Sequence, residues 1–232
     1  MTLRQAGCVA AQLSPDSRSG CIVSVECDTP FTARSAAFTD LMDELTSHAL
    51  EHQPSSVEDM LKQPVEGNAE GTVEGSLLVT AVTLGENLRL GQVACYENLE
   101  GRIGAYVHHD QKLGVLVSAT TEAGSEVARR FLKKVAMHVA SMRPPVLSKD
   151  ELGSDLIENL RVRFAEEEAL GNKPDDVQER IVEARLARYF SENTLLEQPF
   201  VFDDQVTVQE AVHAALGASS TLDGFFVVQV GA

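Results

Sequence analysis

The sequence of this 232-residue chain repeats part of itself. Residues 20–25, Gly-Cys-Ile-Val-Ser-Val, reappear 94 positions later as residues 114–119, Gly-Val-Leu-Val-Ser-Ala. A second set, offset by 90 positions, shares apolar residues at helical spacing and a following proline: Leu41, Met42, Leu45, His48 and Pro54 match Phe131, Leu132, Val135, His138 and Pro144. The connector between the two parts is four residues longer in the first copy. Loops that vary in this way often carry function.

The composition predicts a folded, acidic protein. With 44% hydrophobic residues, the chain can bury a proper core. Its net charge of −16 and its pI of about 4.7 argue against nucleic acid or an anionic membrane as the main partner. The absence of tryptophan and the aromatic fraction of only 5% also argue against a surface on which bases stack.

The cysteines and the N-terminus indicate a cytoplasmic location. The four cysteines lack Cys-x-x-Cys spacing and are too sparse for a secreted disulfide framework. We therefore expect reduced thiols at Cys8, Cys21, Cys27 and Cys95. The N-terminal sequence has no long apolar segment and no cleavage signal. No apolar run approaches the roughly 18 residues that span a bilayer.

The first half predicts a strand pair, a long helix, shorter helices and a closing strand. Apolar residues recur at helical spacing along the long helix, and Ser55 to Glu58 resembles a capping box that opens a short one. The predicted elements are strands at 8–13, 20–27 and 88–96, helices at 34–52, from 55 and at 77–84, and a Gly- and Glu-rich loop at 66–76.

The second half predicts the same order with more helix. Ser148 to Glu151 is another capping-box pattern, and Pro174 stands where a new helix would start. The predicted elements are strands at 102–109, 112–120 and 225–230, and helices at 125–142, from 148 to near 171–172, from 174 to about 190, and from 207. Because the strands pair as hairpins, the predicted fold class is α+β. We expect two related subdomains, 1–97 and 98–232, each a small antiparallel sheet covered by helices.

One short motif suggests a metal site, but the repeat argues against it. Residues 48–52, His-Ala-Leu-Glu-His, fit a zinc metalloprotease pattern in which both histidines share one face of a helix. In the second copy His48 corresponds to His138, whereas His52 corresponds to Met142, and no third ligand can be named. We therefore expect ordinary histidines on a helix face and no bound metal.

Three further candidates have a structural interpretation beside a functional one. The segment His108-His109-Asp110 could bind metal, but exposed residues at a hairpin turn are the simpler interpretation. His138 shares an apolar helical stripe with Phe131 and Val135, which favours a place at the edge of the core. Phe31, in the longer connector, could tuck into its own core or project outward as an anchor for a partner. The residues alone do not decide between these two positions.

Several ordered matches make the chain resemble the elongation factor Ts family from about residue 6 to residue 230. The matching segments are Gly-Glu-Asn-Leu at 85–88, Gly-Ala-Tyr-Val-His at 104–108, Leu-Gly-Val-Leu-Val at 113–117, Val-Ala-Met-His-Val-Ala at 135–140, Gly-Asn-Lys-Pro at 171–174 and Leu-Glu-Gln-Pro-Phe-Val at 196–201. The family core has two related subdomains, in agreement with the repeat.

The resemblance implies a guanine-nucleotide exchange factor that binds the GTPase domain of elongation factor Tu and promotes GDP release. It implies no covalent chemistry, no cofactor and no small-molecule substrate of its own. In the family a Thr-Asp-Phe loop inserts between helices of the GTPase and disturbs its Mg²⁺ site, while a histidine helps to shift the phosphate-binding loop. By this likeness the partner-binding residues are Thr29, Pro30, Phe31, Leu113, Gly114 and His138.

The chain departs from the family pattern in ways that affect function. Pro30 replaces the aspartate of the Thr-Asp-Phe loop, so a charge is lost and φ becomes fixed, although Asp28 is close in sequence. By this likeness we expect the sequence to lack the family's N-terminal helical domain, which resembles a ubiquitin-associated domain, and to lack a coiled-coil insertion. Loss of one binding module predicts weaker binding to elongation factor Tu. The alternative function is that of a divergent relative that binds elongation factor Tu or another GTPase without exchange.

Overall fold

The protein, described here from a computed structural model, begins with two strands and a long helix. The description covers residues 6–65, 71–166 and 174–231. The first half consists of β1 (Ala6–Leu13), β2 (Ser19–Cys27), α1 (Ala36–His52), α2 (Val57–Lys62), α3 (Val73–Leu84) and β3 (Leu88–Glu97). Ser35 caps α1 by accepting a hydrogen bond from the Phe38 N–H, so the helix begins where the longer connector ends.

The second half repeats this order with additional elements. It consists of β4 (Gly101–Val107), β5 (Leu113–Thr120), α4 (Ser125–Met142), α5 (Ser154–Ala165), α6 (Asp175–Asn193), β6 (Pro199–Phe200), β7 (Asp203–Thr207), α7 (Val208–Leu216) and β8 (Thr221–Gln229). A capping box formed by Thr207 and Glu210 starts α7, in agreement with the helix predicted from residue 207. The predicted end of the helix before Pro174, near 171–172, lies outside the described residues.

The predicted α+β fold class is confirmed. The two main sheets are antiparallel, with strand orders β1-β2-β3 and β4-β5-β8. The repeated strands β2 and β5 are therefore the central strands of their sheets. Several predictions differ in detail: α3 begins at Val73 rather than at residue 77, α5 at Ser154 rather than at 148, and β8 at Thr221 rather than at 225. The small β6–β7 hairpin was not predicted. A strand of two residues is too short to leave a periodic pattern in the sequence.

Each sheet is covered by its own repeated helix. Phe38, Leu41 and Leu45 of α1 are buried against the first sheet, and Leu132, Val135 and Val139 of α4 are buried against the second. These residues recur every three or four positions, so the apolar stripe of each helix faces its sheet. The matching apolar positions found in the sequence are therefore core positions.

The other faces of the two sheets pack against each other. An apolar layer between them includes Val9, Ile22, Ile103, Leu116 and Val228. The repeated glycines lie at the closest approach. A Cβ on Gly20 would lie 2.8 Å from Ile103 Cγ2, and one on Gly114 would lie 2.7 Å from Val9 Cγ1. Glycine therefore recurs in both copies because the opposite sheet leaves no space for a side chain.

Two equivalent hydrogen bonds join the halves. The Val9 N–H donates to the Gln111 carbonyl oxygen, and the Ile103 N–H donates to the Ser17 carbonyl oxygen, both at 2.7 Å. Ser17 and Gln111 are also equivalent in the repeat and share positive φ angles of 59° and 56°. The hairpin turn of each half thus binds the edge strand of the other, as an approximate two-fold axis requires. Because the halves share this packing, their division into separate subdomains at residue 97 stays a prediction.

The second half contains a pair of helices that the described residues of the first half lack. α5 and α6 pack on each other through Leu160, Val182 and Leu186. α5 has 12 residues and α6 has 19, and residues 167–173 between them lie outside the described part of the chain. The two helices predicted in this stretch are therefore present and form a pair with its own apolar contacts. The absence of a coiled-coil insertion stays a prediction.

The four cysteines are free thiols, as expected. Burial raises the pKa of Cys21 to about 12 and that of Cys95 to about 11, because a thiolate loses its hydration inside the protein. These thiols are therefore poor nucleophiles. No helix in the described parts of the chain combines the length and the apolar character needed to cross a bilayer.

Candidate partner-binding site

Phe31 projects from the connector between β2 and α1, which we call the Phe31 loop (residues 28–34). Its side chain is 85% exposed, more than any other large hydrophobic residue among those described. Thr32 and Ala33, the next two residues, are buried. The two positions that the sequence left open for Phe31 are thus resolved: the ring faces solvent while the adjoining residues anchor the loop to the core.

Glu86 holds the base of the Phe31 loop. Its carboxylate accepts hydrogen bonds from the Thr29 hydroxyl at 2.7 Å and from the Thr29 N–H at 3.0 Å. The hydroxyl of Thr29 lowers the pKa of Glu86, because this hydrogen bond favours the charged carboxylate. Glu86 directly follows Gly85, the left-handed residue that ends α3. The C-terminal end of α3 therefore fixes the Phe31 loop, which precedes α1.

Pro30 occupies the first turn of the loop. The Ala33 N–H donates to the Thr29 carbonyl oxygen at 3.3 Å, and the Arg34 N–H donates to the Phe31 carbonyl oxygen at 3.1 Å. Pro30 lies inside this turn, where its fixed φ fits and no N–H is needed. Asp28 does not simply replace the missing carboxylate, because its Oδ2 accepts a hydrogen bond from Asn87 Nδ2 at 3.0 Å. The departure at Pro30 thus removes a charge and stiffens the turn.

His138 lies inside the second half and has no exposed surface. Its Nδ1 accepts a hydrogen bond from the Val201 N–H at 3.2 Å, so the proton is assigned to Nε2, which donates to Gln198 Oε1 at 2.8 Å. Burial lowers the pKa of His138, because the imidazolium would lose its hydration. The ring is therefore a neutral structural link between α4 and the segment around Gln198, and in this conformation it cannot touch a partner.

Leu113 and Gly114 have different environments although they are adjacent. Gly114 is buried between the sheets. Leu113 lines an open groove of about 430 Å³, which we call the α4–β5 groove. Its other large apolar and aromatic lining residues include Tyr106, Met137, Val201 and Phe202. Only Leu113 of this pair is therefore available for a direct contact.

The Phe31 loop and the hairpin between β4 and β5 lie at the same end of the molecule. The Cys8 thiol lies 3.4 Å from the Ala33 carbonyl oxygen and 3.6 Å from Gln111 Oε1. Ala33 belongs to the Phe31 loop, and Gln111 belongs to the hairpin that leads to Leu113. Of the six predicted site residues, the structure thus places Thr29, Pro30, Phe31 and Leu113 towards one end and Gly114 and His138 beneath the surface.

His108 belongs to this surface although the sequence predicted only an exposed turn residue there. It is half-buried and lines the α4–β5 groove, where its Nδ1 lies 2.9 Å from the Tyr106 hydroxyl oxygen. Tyr106 and His108 are two positions apart, so both side chains leave the same side of the strand end. The spacing of Tyr106 and His108 in the sequence indicates that they share one side of the strand. The groove itself could not be predicted in this way, because α4 and the β6–β7 hairpin form its other walls.

The histidines of the zinc-like motif have other contacts. The rings of His48 and His52 stack with their centroids 4.1 Å apart, and His48 Nε2 lies 2.9 Å from Gln63 Oε1. His52 Nδ1 lies 3.2 Å from the His48 carbonyl oxygen. Among residues 6–65, 71–166 and 174–231, no three His, Cys, Asp or Glu side chains gather as a metal site would require.

Comparison with known proteins decides the family. The family model described as Elongation factor TS matches residues 28–232. The chain belongs to the elongation factor Ts family. It is similar to elongation factor Ts of Trichlorobacter lovleyi, with 31% identity over 94% of this chain and 73% of that protein. The elongation factors Ts of Sphingopyxis alaskensis and Wolbachia pipientis subsp. Culex pipiens are 33% and 34% identical, covering 98% and 88% of this chain and 77% and 74% of those proteins.

The family match confirms the resemblance that the sequence motifs indicated. The region matched by the elongation factor Ts model begins at residue 28, the first residue of the Phe31 loop. All six candidate site residues therefore lie within it. Membership in the elongation factor Ts family does not assign a role to individual residues, so the contact made by each one stays a prediction.

Proposed function

We propose that this protein is an exchange factor that binds the GTPase domain of elongation factor Tu and promotes GDP release. The observation that carries the proposal is the exposure of Phe31, at 85%, on a turn whose other side is buried and hydrogen-bonded to Glu86. An aromatic side chain held in this way can enter a pocket with little loss of conformational entropy.

The proposed action is differential binding rather than covalent chemistry. A factor that binds the nucleotide-free GTPase more tightly than the GDP-bound form must weaken GDP binding by the same factor. Phe31 would provide this preference if its pocket exists only when the nucleotide site is distorted. The chain itself then needs no cofactor, metal ion or small-molecule substrate.

We assign the remaining candidate residues to contact and support. Thr29 and Pro30 shape the Phe31 loop, and Leu113 contacts the partner at the α4–β5 groove. Gly114 and His138 support the site without touching the partner. Gly114 permits the close approach of the two sheets. His138 positions the backbone at Val201, which lines the α4–β5 groove. This assignment keeps all six residues in the site and gives direct contact only to those with exposed surface.

The test is the rate of labelled GDP release from elongation factor Tu, with Phe31→Ala compared against Leu99→Ala. Leu99 is an exposed residue after β3, at the opposite end of the first sheet. We expect Phe31→Ala to slow exchange at least about tenfold, as for an interface anchor worth roughly 1.4 kcal/mol or more. Leu99→Ala should leave exchange unchanged. Equal rates for the two variants would overturn the role of Phe31, and no acceleration by the unmodified protein would overturn the function.

Pro30 favours a second candidate, a GTPase-binding protein without exchange activity. It removes the carboxylate of the family loop, and Asp28 is already hydrogen-bonded to Asn87. The variant Pro30→Asp tests whether that charge limits exchange. If the protein binds without exchange, we expect Pro30→Asp to increase the exchange rate while binding affinity for elongation factor Tu changes less. If the chain is already an efficient exchange factor, the variant should change the rate by less than about threefold, as for a peripheral contact of about 0.6 kcal/mol.

A further inference from the structure

Four hydrogen bonds of the Phe31 loop meet at Thr29. Its hydroxyl donates to Glu86 Oε1 at 2.7 Å and accepts from the Thr32 N–H at 3.3 Å. Its N–H donates to Glu86 Oε2 at 3.0 Å, and its carbonyl oxygen accepts from the Ala33 N–H at 3.3 Å. Phe31 lies inside the turn that these bonds close. Because so exposed a ring has little packing of its own, the backbone bonds at Thr29 set its direction.

Glu86 reaches the loop from a fixed position outside it. The N–H groups of Gly85 and Glu86 donate to the Ala81 carbonyl oxygen at 2.9 and 3.2 Å, which closes the C-terminal end of α3. Gly85 has a φ of 69°, a left-handed conformation that glycine adopts with little strain. Both carboxylate oxygens of Glu86 accept hydrogen bonds from Thr29, and a bond to a charged acceptor is stronger than one between neutral groups. A charged group on the ordered end of a helix therefore holds the loop.

The second half fastens the equivalent segment in a different way. After β5 the Thr121 hydroxyl donates to the carbonyl oxygen of Leu216, the last residue of α7, at 3.2 Å. The Ser220 hydroxyl donates to the Thr121 hydroxyl oxygen at 2.9 Å, and both side chains are buried. These partners are neutral, whereas Thr29 and Glu86 are half-buried and their link carries a charge. The charged link thus occurs in the half that carries Phe31.

We propose that Glu86 is a positioning residue for nucleotide exchange: acting through Thr29, it holds the Phe31 loop in the conformation in which the ring can enter the partner. Glu86 does so without touching the partner itself. The inference rests on the proposed function, because order in the Phe31 loop affects GDP release only if Phe31 is an anchor. An ordered loop reduces the conformational entropy that is lost when the ring enters its pocket.

The experiment measures labelled GDP release from elongation factor Tu at increasing concentrations of the protein. Glu86→Gln keeps the size of the side chain but removes its charge and one acceptor oxygen. We expect the maximal rate to fall about fivefold, as for one weakened hydrogen bond to a charged group. The concentration that gives half of this rate should change less than about twofold, since the ring would enter only when the nucleotide site is distorted. Glu97→Gln, the same change at an exposed glutamate at the far end of β3, should alter neither quantity.

Variants of Thr29 show whether Glu86 acts through it. Thr29→Val removes the hydroxyl but keeps the shape, and it should slow GDP release about as much as Glu86→Gln does. Adding Glu86→Gln to Thr29→Val should then change the rate less than about twofold, because the link is already broken. Thr29→Ser, which keeps the hydroxyl, should retain nearly the full rate. Fully additive losses would mean that Glu86 acts on the partner directly, and the positioning role would be wrong.

Amide hydrogen exchange in the free protein, followed by NMR, reports the order of the loop without the partner. We expect the Thr29 and Thr32 amides to exchange at least about threefold faster in Glu86→Gln than in the unmodified protein or in Glu97→Gln. Unchanged amide exchange, or faster amide exchange with an unchanged rate of GDP release, would refute the inference. If the unmodified protein does not accelerate GDP release, the proposed function fails, and the amide measurement decides separately whether Glu86 orders the loop.

Discussion

The two halves of this molecule share a core and differ in their connections. Both have a central strand with a repeated glycine, a covering helix and the same hydrogen bond to the opposite sheet. The first half has the longer Phe31 loop between strand and helix, and the second half has the α5–α6 pair. The difference teaches that packing constrained the repeated elements, whereas the connections were free to acquire separate tasks.

The comparison extends to a pair of side chains that the sequence repeat did not reveal. His48 Nε2 lies 2.9 Å from Gln63 Oε1, and His138 Nε2 lies 2.8 Å from Gln198 Oε1. Gln63 and Gln198 each precede a proline, Pro64 or Pro199. Their carbonyl oxygens accept hydrogen bonds from the first residue of α3 and of α7, Val73 and Val208. The repeat therefore includes a histidine–glutamine link. In the second half the glutamine lies further along the chain than in the first, because α5 and α6 come between His138 and Gln198.

The largest expected effect tests a difference in packing between the halves. Gly104 of β4 corresponds to Ala10 of β1, and a Cβ on Gly104 would lie 2.3 Å from Leu132 Cβ and 2.7 Å from the Leu132 backbone carbon. Because a backbone atom cannot move aside, we expect Gly104→Ala to destabilise the protein by about 3 kcal/mol. The midpoint of thermal unfolding should fall by roughly 6–12 °C. Ala10→Gly is the matched control and should cost only about 1 kcal/mol.

A smaller effect separates the two histidine–glutamine links. Gln198 and His138 are fully buried, whereas Gln63 is partly exposed. We expect Gln198→Ala to cost about 2 kcal/mol, since it leaves a buried imidazole N–H without a partner, and Gln63→Ala to cost about 1 kcal/mol. Urea denaturation measures both. Equal losses would show that water reaches both histidines and that the two links are interchangeable.

The smallest effect is a pH dependence that should be stronger in the second half. Burial lowers the pKa of both His138 and His48 in the folded protein. The unfolded chain, with a histidine pKa near 6.5, therefore binds protons that the folded protein does not. Stability from these groups is complete above pH of about 6.5 and decreases as the pH falls towards the lowered folded pKa values.

Histidine variants measure this dependence as the slope of unfolding free energy between about pH 7 and pH 5. His138→Gln should flatten the slope more than His48→Gln does, because His138 is the more deeply buried of the two. A slope that persists in His138→Gln would mean that the imidazole is hydrated in the folded protein, contrary to its burial.

Much of the architecture could be predicted from local patterns. Helical spacing in α1 and α4 and the strand pairs of both halves predicted the α+β class and the order of elements. The family resemblance predicted Phe31 as a partner-binding residue. The helices α5 and α6 were predicted, but their packing on each other was not.

The sequence by itself determined that the fold is duplicated and that each helix has one apolar face, because these properties depend on spacing within a few residues. Only the tertiary structure decided that Phe31 is exposed while His138 and Gly114 are buried, and that two strand edges meet beside Arg129 and Lys133. The physical reason is that exposure and edge contacts depend on residues far apart in the chain. Local periodicity carries no information about which distant surfaces pack together.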